Sequence, residues 1–529
     1  MHHGMQVQVP KHSSRARLGG PDVHIQPIIR ECQVLQQLSP LDSSFVYMES
    51  PTTPMHIASL AVYDGKDSPL APLNEKKILT FFGDRLEQWT KTRQRLVKVP
   101  LDADYPYWIE DREFDLSYHI RRIGLPRPAS TEELHRLAAR IFSRPMDMTR
   151  PLWEIYVIDG LDNIDGLGDN SFALLAKTHH AAVDGASGIH LMELLHDLQA
   201  EPRRPESSGT PKLTDPYPSD FELMVRTGLN NLRQPFRFAK VLAQSAGAIR
   251  ETIKSFKPSD LPSPQLVPKT RFNGKVTAQR VMRWSSFPVT EISKLRKSVP
   301  GASINDAIIT VCAGGLRKYL EAKQELNASS LIAMAPINVR KEADKAAAGN
   351  QVSAMFVPIG TNIADPIERL AAVRRATRSS KELGQAVGAK ALTDYSQFVP
   401  AYTAAMAARL MANTAAANNP TFNLTITNVP GPQIPLYSMG ARMTNSLGMA
   451  PLTQGMGLIM PITSYCGEIT IGFTSCRDIV PDPDFLKACI EKSFKEFAAA
   501  AKTEAKVAAK LAKSKKGAGA KKRADKEEK

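Results

Sequence analysis

Apolar residues recur along the chain with two spacings, and each spacing predicts a different type of element. A spacing of three or four residues predicts helices in three segments: residues 132–143, 187–198 and 303–320. A short apolar run and a strict alternation predict two strands, at residues 171–178 and 467–473. Ser303 is a suitable N-cap for the third helix, because its hydroxyl can accept a hydrogen bond from a free backbone N–H. Helices and strands alternate, so we expect an α/β fold with mixed sheets.

Breaks in the apolar pattern divide the chain into folded regions and connecting segments. A chain of 529 residues is too long for one ordinary core, which favours two or more domains. The proline, glycine and serine residues that follow Ala200 are typical of a linker. We predict these divisions: a disordered N-terminal extension at 1–37, an N-terminal domain at 38–200, a helical linker at 201–269, a C-terminal domain at 270–500, and a basic tail at 501–529 that stays helical to about Ala512.

Positive charge is concentrated in two of these segments. The net charge is +15, and the tail contributes +7 from eleven lysines and arginines against four acidic residues. Residues 222–257 of the linker have helical spacing and add a net +5. This helix is either a membrane-surface helix or a crossover helix whose charges are merely solvated. Nucleic-acid binding is not expected, because no aromatic and basic recognition motif accompanies the charge.

The expected localisation follows from features that the sequence lacks. No stretch reaches about 18 apolar residues, so no transmembrane helix is predicted, and the first thirty residues contain no apolar segment typical of a secretory signal. Five scattered cysteines without a CxxC pair indicate reduced thiols and no zinc site. We expect a cytoplasmic protein that associates peripherally with the inner face of the plasma membrane or with lipid inclusions.

The sharpest chemical signal lies where the predicted strand 171–178 ends. The chain continues as His179-His180-Ala-Ala-Val-Asp184-Gly185 and leads into a predicted helix. Because successive strand side chains point to opposite faces, one histidine should face a cleft and the other the body of the domain. A neutral imidazole can take a proton from an attacking hydroxyl and return it to a leaving thiolate. No G-x-S-x-G elbow supplies a serine nucleophile, so direct transfer between two bound substrates is favoured over an acyl-enzyme.

The turn after the histidines allows other interpretations. Asp184 could orient the loop or pair with a buried cation, and Gly185 permits tight turning. The His-His-x-x-x-Asp string could also be a metal site, since imidazole and carboxylate are both ligands. Opposed strand faces and the lack of an obvious third ligand argue against a metal. A pair of structural histidines is the remaining alternative.

Seven blocks of the chain resemble the bacterial wax ester synthase/diacylglycerol acyltransferase family, and they occur in the order found in that family. The central block is the HHxxxDG signature at residues 179–185. The others are the opening segment 38–57 with Glu49 and His56, Pro151-Leu152-Trp153, Asn305-Asp306, residues 335–340 followed by Gly349-Asn350, Thr427-Asn428-Val-Pro-Gly-Pro432, and Ser464-Tyr465 followed by Gly467 and Asp478. Together they cover about residues 38–500.

This resemblance implies a fold and an activity. The fold would be two chloramphenicol-acetyltransferase-like domains, with the active site in a tunnel between them. His180 would be the catalytic base and Asp184 mainly structural. A long-chain acyl-CoA would donate its acyl group to diacylglycerol, to a fatty alcohol, or to both. No cofactor is implied, because acyl-CoA is a cosubstrate.

Further site residues are suggested by their chemistry in this family context. Asn305 is a candidate to polarise the thioester carbonyl, because its amide NH2 can donate to a developing oxyanion. Its alternative role is a local backbone contact at a helix start. Candidate substrate-binding residues are His179, Gly185, Pro151, Leu152, Trp153, Asn428 and Ser464. The Pro151–Trp153 block either shapes the apolar site or packs in the core. Arg340 is a candidate partner of Asp184 or of a coenzyme A phosphate, or is solvated.

Two other classes of function stay open. A non-catalytic lipid-binding or lipid-droplet surface protein would use the basic helix and tail for membrane contact, and would show no turnover with acyl-CoA. A carrier-protein-dependent condensing enzyme shares the HxxxD element, but it would normally accompany carrier modules.

Overall fold

A computed structural model of the protein describes eight stretches of the chain: residues 35–161, 163–183, 185–203, 217–232, 267–338, 352–386, 401–410 and 420–527. Asp184, Arg340, Gly349 and Asn350 lie outside these described residues, as do linker residues 233–257 and most of the predicted N-terminal extension. Every element named below belongs to one compact unit, Gln36–Lys529.

The first sheet has six strands and carries the histidine motif. In spatial order its strands are β12 (Tyr437–Ser438), β13 (Ala441–Met449), β2 (His56–Asp64), β7 (Phe172–His179), β6 (Trp153–Asp159) and β5 (Ile120–Gly124). Strands β5 and β6 are parallel, and all other neighbours are antiparallel. Strand β7 is nearly continuous in apolar residues, which suits a central strand covered on both faces.

The second sheet also has six strands and is built from residues after 279. In spatial order its strands are β10 (Val352–Pro358), β9 (Ile332–Asn338), β11 (Leu424–Pro430), β14 (Leu458–Tyr465), β15 (Glu468–Cys476) and β8 (Arg280–Pro288). Strand β11 is parallel to both of its neighbours. A small third sheet joins β1 (Gln36–Gln37), β4 (Tyr107–Glu110) and β3 (Gln94–Val97).

Helices cover the sheets. They are α1 (Pro40–Met48), α2 (Glu75–Leu86), α3 (Leu116–His119), α4 (Thr131–Phe142), α5 (Gly185–Leu195), α6 (residues 220–232), α7 (Val289–Arg296), α8 (Ile304–Ala322), α9 (Pro366–Ala386), α10 (Ala401–Leu410) and α11 (Pro483–Glu527). The mixed α/β class is confirmed, as are the three helices and two strands predicted from apolar spacing.

Local sequence explains where α8 begins and how closely it packs. The Ser303 hydroxyl accepts from the Asp306 N–H at 3.1 Å, and the Asp306 carboxylate accepts from the Ser303 N–H at 2.7 Å. This reciprocal capping box confirms Ser303 as the N-cap. A Cβ on Gly315 would lie 2.8 Å from the Ile490 Cα of α11, so glycine allows the two helices to approach.

Three features differ from the pattern read in the sequence. Strand β13 lies within the predicted C-terminal domain by position, yet it pairs with β2 in the first sheet. Gln36 and Gln37, assigned to the disordered extension, pair with Trp108 and Tyr107. Helix α11 continues to Glu527 instead of ending near Ala512, because its alanine, lysine, arginine and glutamate residues outweigh two glycines in helix propensity.

Two further properties of the described residues concern the length of their apolar helices and the state of their cysteines. Among them, no helix is both long enough and apolar enough to cross a bilayer. Cys312, Cys466, Cys476 and Cys489 are free thiols.

Candidate active site

A cavity of about 1860 Å³ lies between the two six-stranded sheets. Ile57 and Met443 line it from the first sheet, and Thr427 and Ile459 line it from the second. Residues of α1, of α5 and of the connecting segments 196–203, 420–422, 430–436 and 449–456 also line it, and most of the lining is apolar. Sites for small molecules usually measure about 300–1,000 Å³, so this volume is large enough for more than one lipidic substrate.

His180 lines this cavity from a single turn of 3-10 helix that follows β7. Its backbone N–H donates to the Met55 carbonyl at 2.8 Å. Its ring stacks on the Phe45 ring of α1, with centroids 3.9 Å apart and planes 14° apart. Burial lowers the pKa of His180 to about 4, against the opposing effect of its own backbone carbonyl. The imidazole is therefore neutral near pH 7 and free to accept a proton.

His179 turns the other way, into the body of the first sheet. Its side chain is fully buried, and its Nδ1 accepts from the Ala181 N–H at 3.1 Å. Its Nε2 lies 3.4 Å from Oε2 of Glu49. The structure therefore separates the two histidines as expected, with His180 at the cavity and His179 behind the loop. His179 does not line the cavity, so direct substrate contact is not supported for it.

The Pro151–Trp153 block packs behind the histidine loop and lies outside the cavity lining. The Leu152 carbonyl accepts from the His179 N–H at 3.0 Å, and the Leu152 side chain is buried in a cluster with Ala181. The Trp153 indole N–H donates to the Thr92 carbonyl at 2.7 Å. Of the two roles considered for this block, core packing is the one its contacts support.

Asn305 and Asn428 contact each other, but neither lines the cavity with His180. The Asn428 amide N–H donates to Oδ1 of Asn305 at 3.2 Å, at the start of α8. The structure therefore does not bring Asn305 to the cavity wall as an oxyanion donor. Ser464 does line the cavity, and its hydroxyl accepts from the Gly431 N–H at 3.2 Å.

The glycines of the motif lie at the start of α5. Gly185 is its first residue, and Gly188 lines the cavity. A Cβ on Gly188 would lie 3.4 Å from Cγ1 of Val183, which is ordinary van der Waals contact.

Two lining residues were not predicted from the sequence. Phe45 lies 135 residues before His180, so no local motif joins them. His196 lies in the lining near the end of α5. Its Nδ1 donates to the Met192 carbonyl at 2.8 Å, so its Nε2 accepts from the Tyr63 hydroxyl at 2.6 Å. Both ring nitrogens are engaged, and burial lowers the pKa of His196 to about 4. These contacts give His196 a structural role.

The described residues contain no group of three or more histidine, cysteine, aspartate or glutamate side chains that could hold a metal ion. His56 and His179 are register partners on β2 and β7. Nε2 of His56 donates to the Phe142 carbonyl at 2.7 Å, which directs that ring away from a shared site with His179.

Comparisons with known proteins agree with one another. The family described as the wax ester synthase/diacylglycerol acyltransferase catalytic domain matches residues 38–308, and its C-terminal domain matches residues 348–498. Two Mycobacterium tuberculosis proteins assigned as diacylglycerol O-acyltransferases are similar to this chain. One is 29% identical over 88% of this chain and 93% of its own. The other is 30% identical over 88% of this chain and 100% of its own.

Solved structures give the same result for the fold. The wax ester synthase/diacylglycerol acyltransferase of Marinobacter aquaeolei VT8 has a TM-score of 0.63 and is 25% identical, over 88% of this chain and 100% of that one. The first condensation domain of the calcium-dependent antibiotic synthetase has a TM-score of 0.52 at 14% identity, over 89% and 97% of the two chains. The second likeness concerns the fold alone, and the expected two-domain, chloramphenicol-acetyltransferase-like class agrees with both.

Proposed function

The chain belongs to the wax ester synthase/diacylglycerol acyltransferase family and is an acyltransferase, and on this premise we propose its substrates and its base. It moves a long-chain fatty acyl group from acyl-CoA to diacylglycerol, to a fatty alcohol, or to both. His180 is the general base. One observation carries this proposal: a neutral imidazole lines a large, mostly apolar cavity.

The reaction is a direct transfer in this proposal. Nε2 of His180 takes the proton of the acceptor hydroxyl as that oxygen attacks the thioester carbonyl carbon. The C–O bond forms, and the tetrahedral intermediate collapses with cleavage of the C–S bond. The imidazolium then protonates the leaving thiolate, which releases coenzyme A. Because burial disfavours the charged ring, the imidazolium gives up its proton readily.

The cavity lining supports lipidic substrates. Its wall has few ionisable side chains, and these cluster in residues 193–203 apart from His180. An acyl chain gains about 0.8 kcal/mol for each CH₂ that leaves water for such a wall. The proposal assigns Ser464 to the tunnel lining, and it gives Asn305 no contact with the carbonyl because Asn305 lies outside the lining.

The test is an in vitro assay with radiolabelled long-chain acyl-CoA, in which diacylglycerol and a long-chain alcohol are offered separately. We expect labelled triacylglycerol, wax ester or both, and loss of the product in His180→Ala. Binding of acyl-CoA without any turnover on either acceptor would favour the non-catalytic lipid-binding alternative. No cofactor needs to be added to this assay under the proposal.

Peripheral association with the cytoplasmic face of a membrane or with lipid inclusions belongs to the same proposal. Helix α6 buries Leu223 and Thr227, whereas Phe221 and Leu232 on its other side are 79% and 71% exposed. The described part of α6 contains one base and two acids, so it has no excess of positive charge. Its exposed apolar side chains support contact with the membrane, and the basic tail supports attraction to anionic lipid.

Removal of residues 513–529 tests the electrostatic part. We expect weaker co-sedimentation with anionic vesicles at low salt, since each well-placed base contributes about 1 kcal/mol at an anionic surface. Binding to neutral vesicles and turnover in a detergent assay should stay unchanged. Equal binding to both vesicle types by the full chain, at any salt concentration, would exclude attraction by the tail.

A further inference from the structure

Glu49 directly follows helix α1 and lies next to the histidine loop. Helix α1 ends at Met48, and Glu49 is its C-cap. One turn earlier, Phe45 stacks on the His180 ring. The end of α1 therefore contacts both histidines, with Phe45 against His180 and Glu49 against His179.

The two carboxylate oxygens of Glu49 have different neighbours. Oε1 accepts from the Met55 N–H at 3.4 Å, and the Met55 carbonyl accepts from the His180 N–H at 2.8 Å. Oε2 lies 3.4 Å from Nε2 of His179. On its other edge, the His179 ring accepts from the Ala181 N–H through Nδ1. The Glu49 carboxylate thus contacts both His179 and Met55, the residue whose carbonyl accepts from the His180 N–H.

These contacts fix the tautomer of His179. Because Nδ1 accepts a hydrogen bond, the neutral ring must carry its proton on Nε2. Nε2 lies 3.4 Å from Oε2 of Glu49 without forming a hydrogen bond in this geometry, and it has no other hydrogen-bond partner among the described residues, so Glu49 is the acceptor nearest to that proton.

The burial of this pair makes the contact important. The His179 side chain is fully buried, and that of Glu49 is 12% exposed. An imidazole N–H left there without an acceptor would cost the free energy of an unpaired buried polar group, which the loop could avoid by rotating. Rotation would change the direction of the His180 ring, which follows next in the chain.

We propose that Glu49 is a positioning residue, which holds His179 in one tautomer and so aims the His180 ring at the reacting groups. The role in catalysis rests on the proposed function of His180. The placement of Glu49 against His179 and Met55, which we call the clamp, rests on the contacts given above. Glu49 does not line the cavity, so it acts through the loop and not on substrate.

Steady-state kinetics of Glu49→Gln test the catalytic consequence. A glutamine amide has one acceptor oxygen instead of two, so it cannot accept from both the Met55 N–H and Nε2–H of His179, whichever way the amide turns. We expect kcat to fall about 100-fold, the loss typical of a small misplacement of a catalytic group, while KM for acyl-CoA changes less than about twofold. A rise in KM at constant kcat would overturn the positioning role. The matched control is Glu110→Gln, since Glu110 is also a partly buried, ion-paired glutamate (3.2 Å from Arg93, 17% exposed) and should keep full kcat.

A double variant tests whether Glu49 acts through His179. His179→Asn keeps an acceptor for the Ala181 N–H but removes the Nε2 proton. If the clamp is one unit, Glu49→Gln should add little to the loss caused by His179→Asn. Independent losses that multiply in the double variant would contradict the proposal.

A readout without turnover separates the clamp from the proposed function. In protein labelled with ¹⁵N in its histidine rings, we expect an exchange-protected Nε2–H signal that disappears in His179→Asn and moves in Glu49→Gln. Its persistence without change in Glu49→Gln would overturn the clamp, whatever the kinetics. A correct signal in a protein that transfers no acyl group would instead reject the proposed function and leave the clamp intact.

Discussion

The two six-stranded sheets differ in where they bury charged and histidine side chains: the first does so beside the histidine loop, and the second at its edge strand β8, where Arg280 and Arg283 are buried. Beneath the histidine loop, the first sheet buries a polar layer in which Lys177 donates to the Arg144 carbonyl at 2.6 Å and pairs with Glu154 at 3.3 Å. His56 and His179 belong to the same layer. The second sheet packs a largely apolar core, with side chains such as Ile471 and Phe473 almost completely buried.

Buried polar groups and buried apolar groups contribute differently, the first to the direction of side chains and the second to the stability of the fold. Buried polar groups contribute little net stability, but their hydrogen bonds define direction. Burial and the nearby Lys177 hold the pKa of His56 well below its ordinary value, so His56 stays neutral in this layer. Apolar packing has no preferred direction, and it stabilises the folded state in proportion to the apolar area that it buries. We therefore expect substitutions in the histidine loop to change chiefly activity, and substitutions of buried side chains outside it to change chiefly stability.

His180→Ala should have the largest effect. General base catalysis contributes about 10²–10⁴-fold, so kcat should fall by that factor while the protein stays folded. His179→Ala should be milder, since that ring acts only through the loop. Initial rates with matched circular dichroism spectra check both variants. Equal losses in two folded variants would mean that the histidines are not divided into base and support.

Phe473→Ala should destabilise the second sheet without touching the site. Phe473 is 1% exposed, and removal of a buried phenylalanine side chain costs about 3–5 kcal/mol. Denaturant unfolding should show this loss, whereas kcat per folded molecule should stay within about twofold of the parent. A large fall in kcat with normal stability would show that the second sheet sets geometry as well.

Lys177→Met should break the polar layer. Glu154 would remain buried without its lysine, although Arg121 still lies 3.7 Å from it. The cost should be about 3 kcal/mol, the upper end for a buried polar group that loses one partner. Replacing both residues, as in Lys177→Met with Glu154→Leu, should recover part of that stability. A double variant less stable than the single would refute this account of the pair.

His135 gives the smallest expected effect, and it depends on pH. Burial is the main cause that lowers the pKa of His135 to about 3, whereas an unfolded histidine titrates near 6.5. Between these values only the unfolded chain binds the proton, so stability is complete above about pH 6.5 and falls as pH drops. The slope is about 1.4 kcal/mol per pH unit, which gives about 2 kcal/mol by pH 5.

His135→Leu should remove that share of the acid sensitivity. The difference in unfolding free energy between pH 7 and pH 5 should be smaller in the variant than in the parent. Other buried histidines still contribute, so a slope should remain. An identical pH dependence in both proteins would mean that His135 does not stay neutral in the folded state.

Elements governed by neighbouring residues could be read from the sequence. Ser303 and Asp306 cap α8 because they are three residues apart, and β7 ends shortly before Asp184-Gly185, two residue types that favour turns. The separation of the two histidines also followed from local geometry, since adjacent side chains at a strand end point in opposite directions. The family blocks added the expectation that His180 is the base, which spacing alone left open.

Contacts between distant segments were decided only by the tertiary structure. The sequence by itself determined the strand, the turn and the two histidines, because each depends on residues within a few positions. It did not determine that β13 joins the first sheet, that Asn305 contacts Asn428, or that Glu49 and Phe45 contact the histidine loop. Those pairings join residues more than 100 positions apart, and apolar periodicity specifies which face is buried but not which partner covers it.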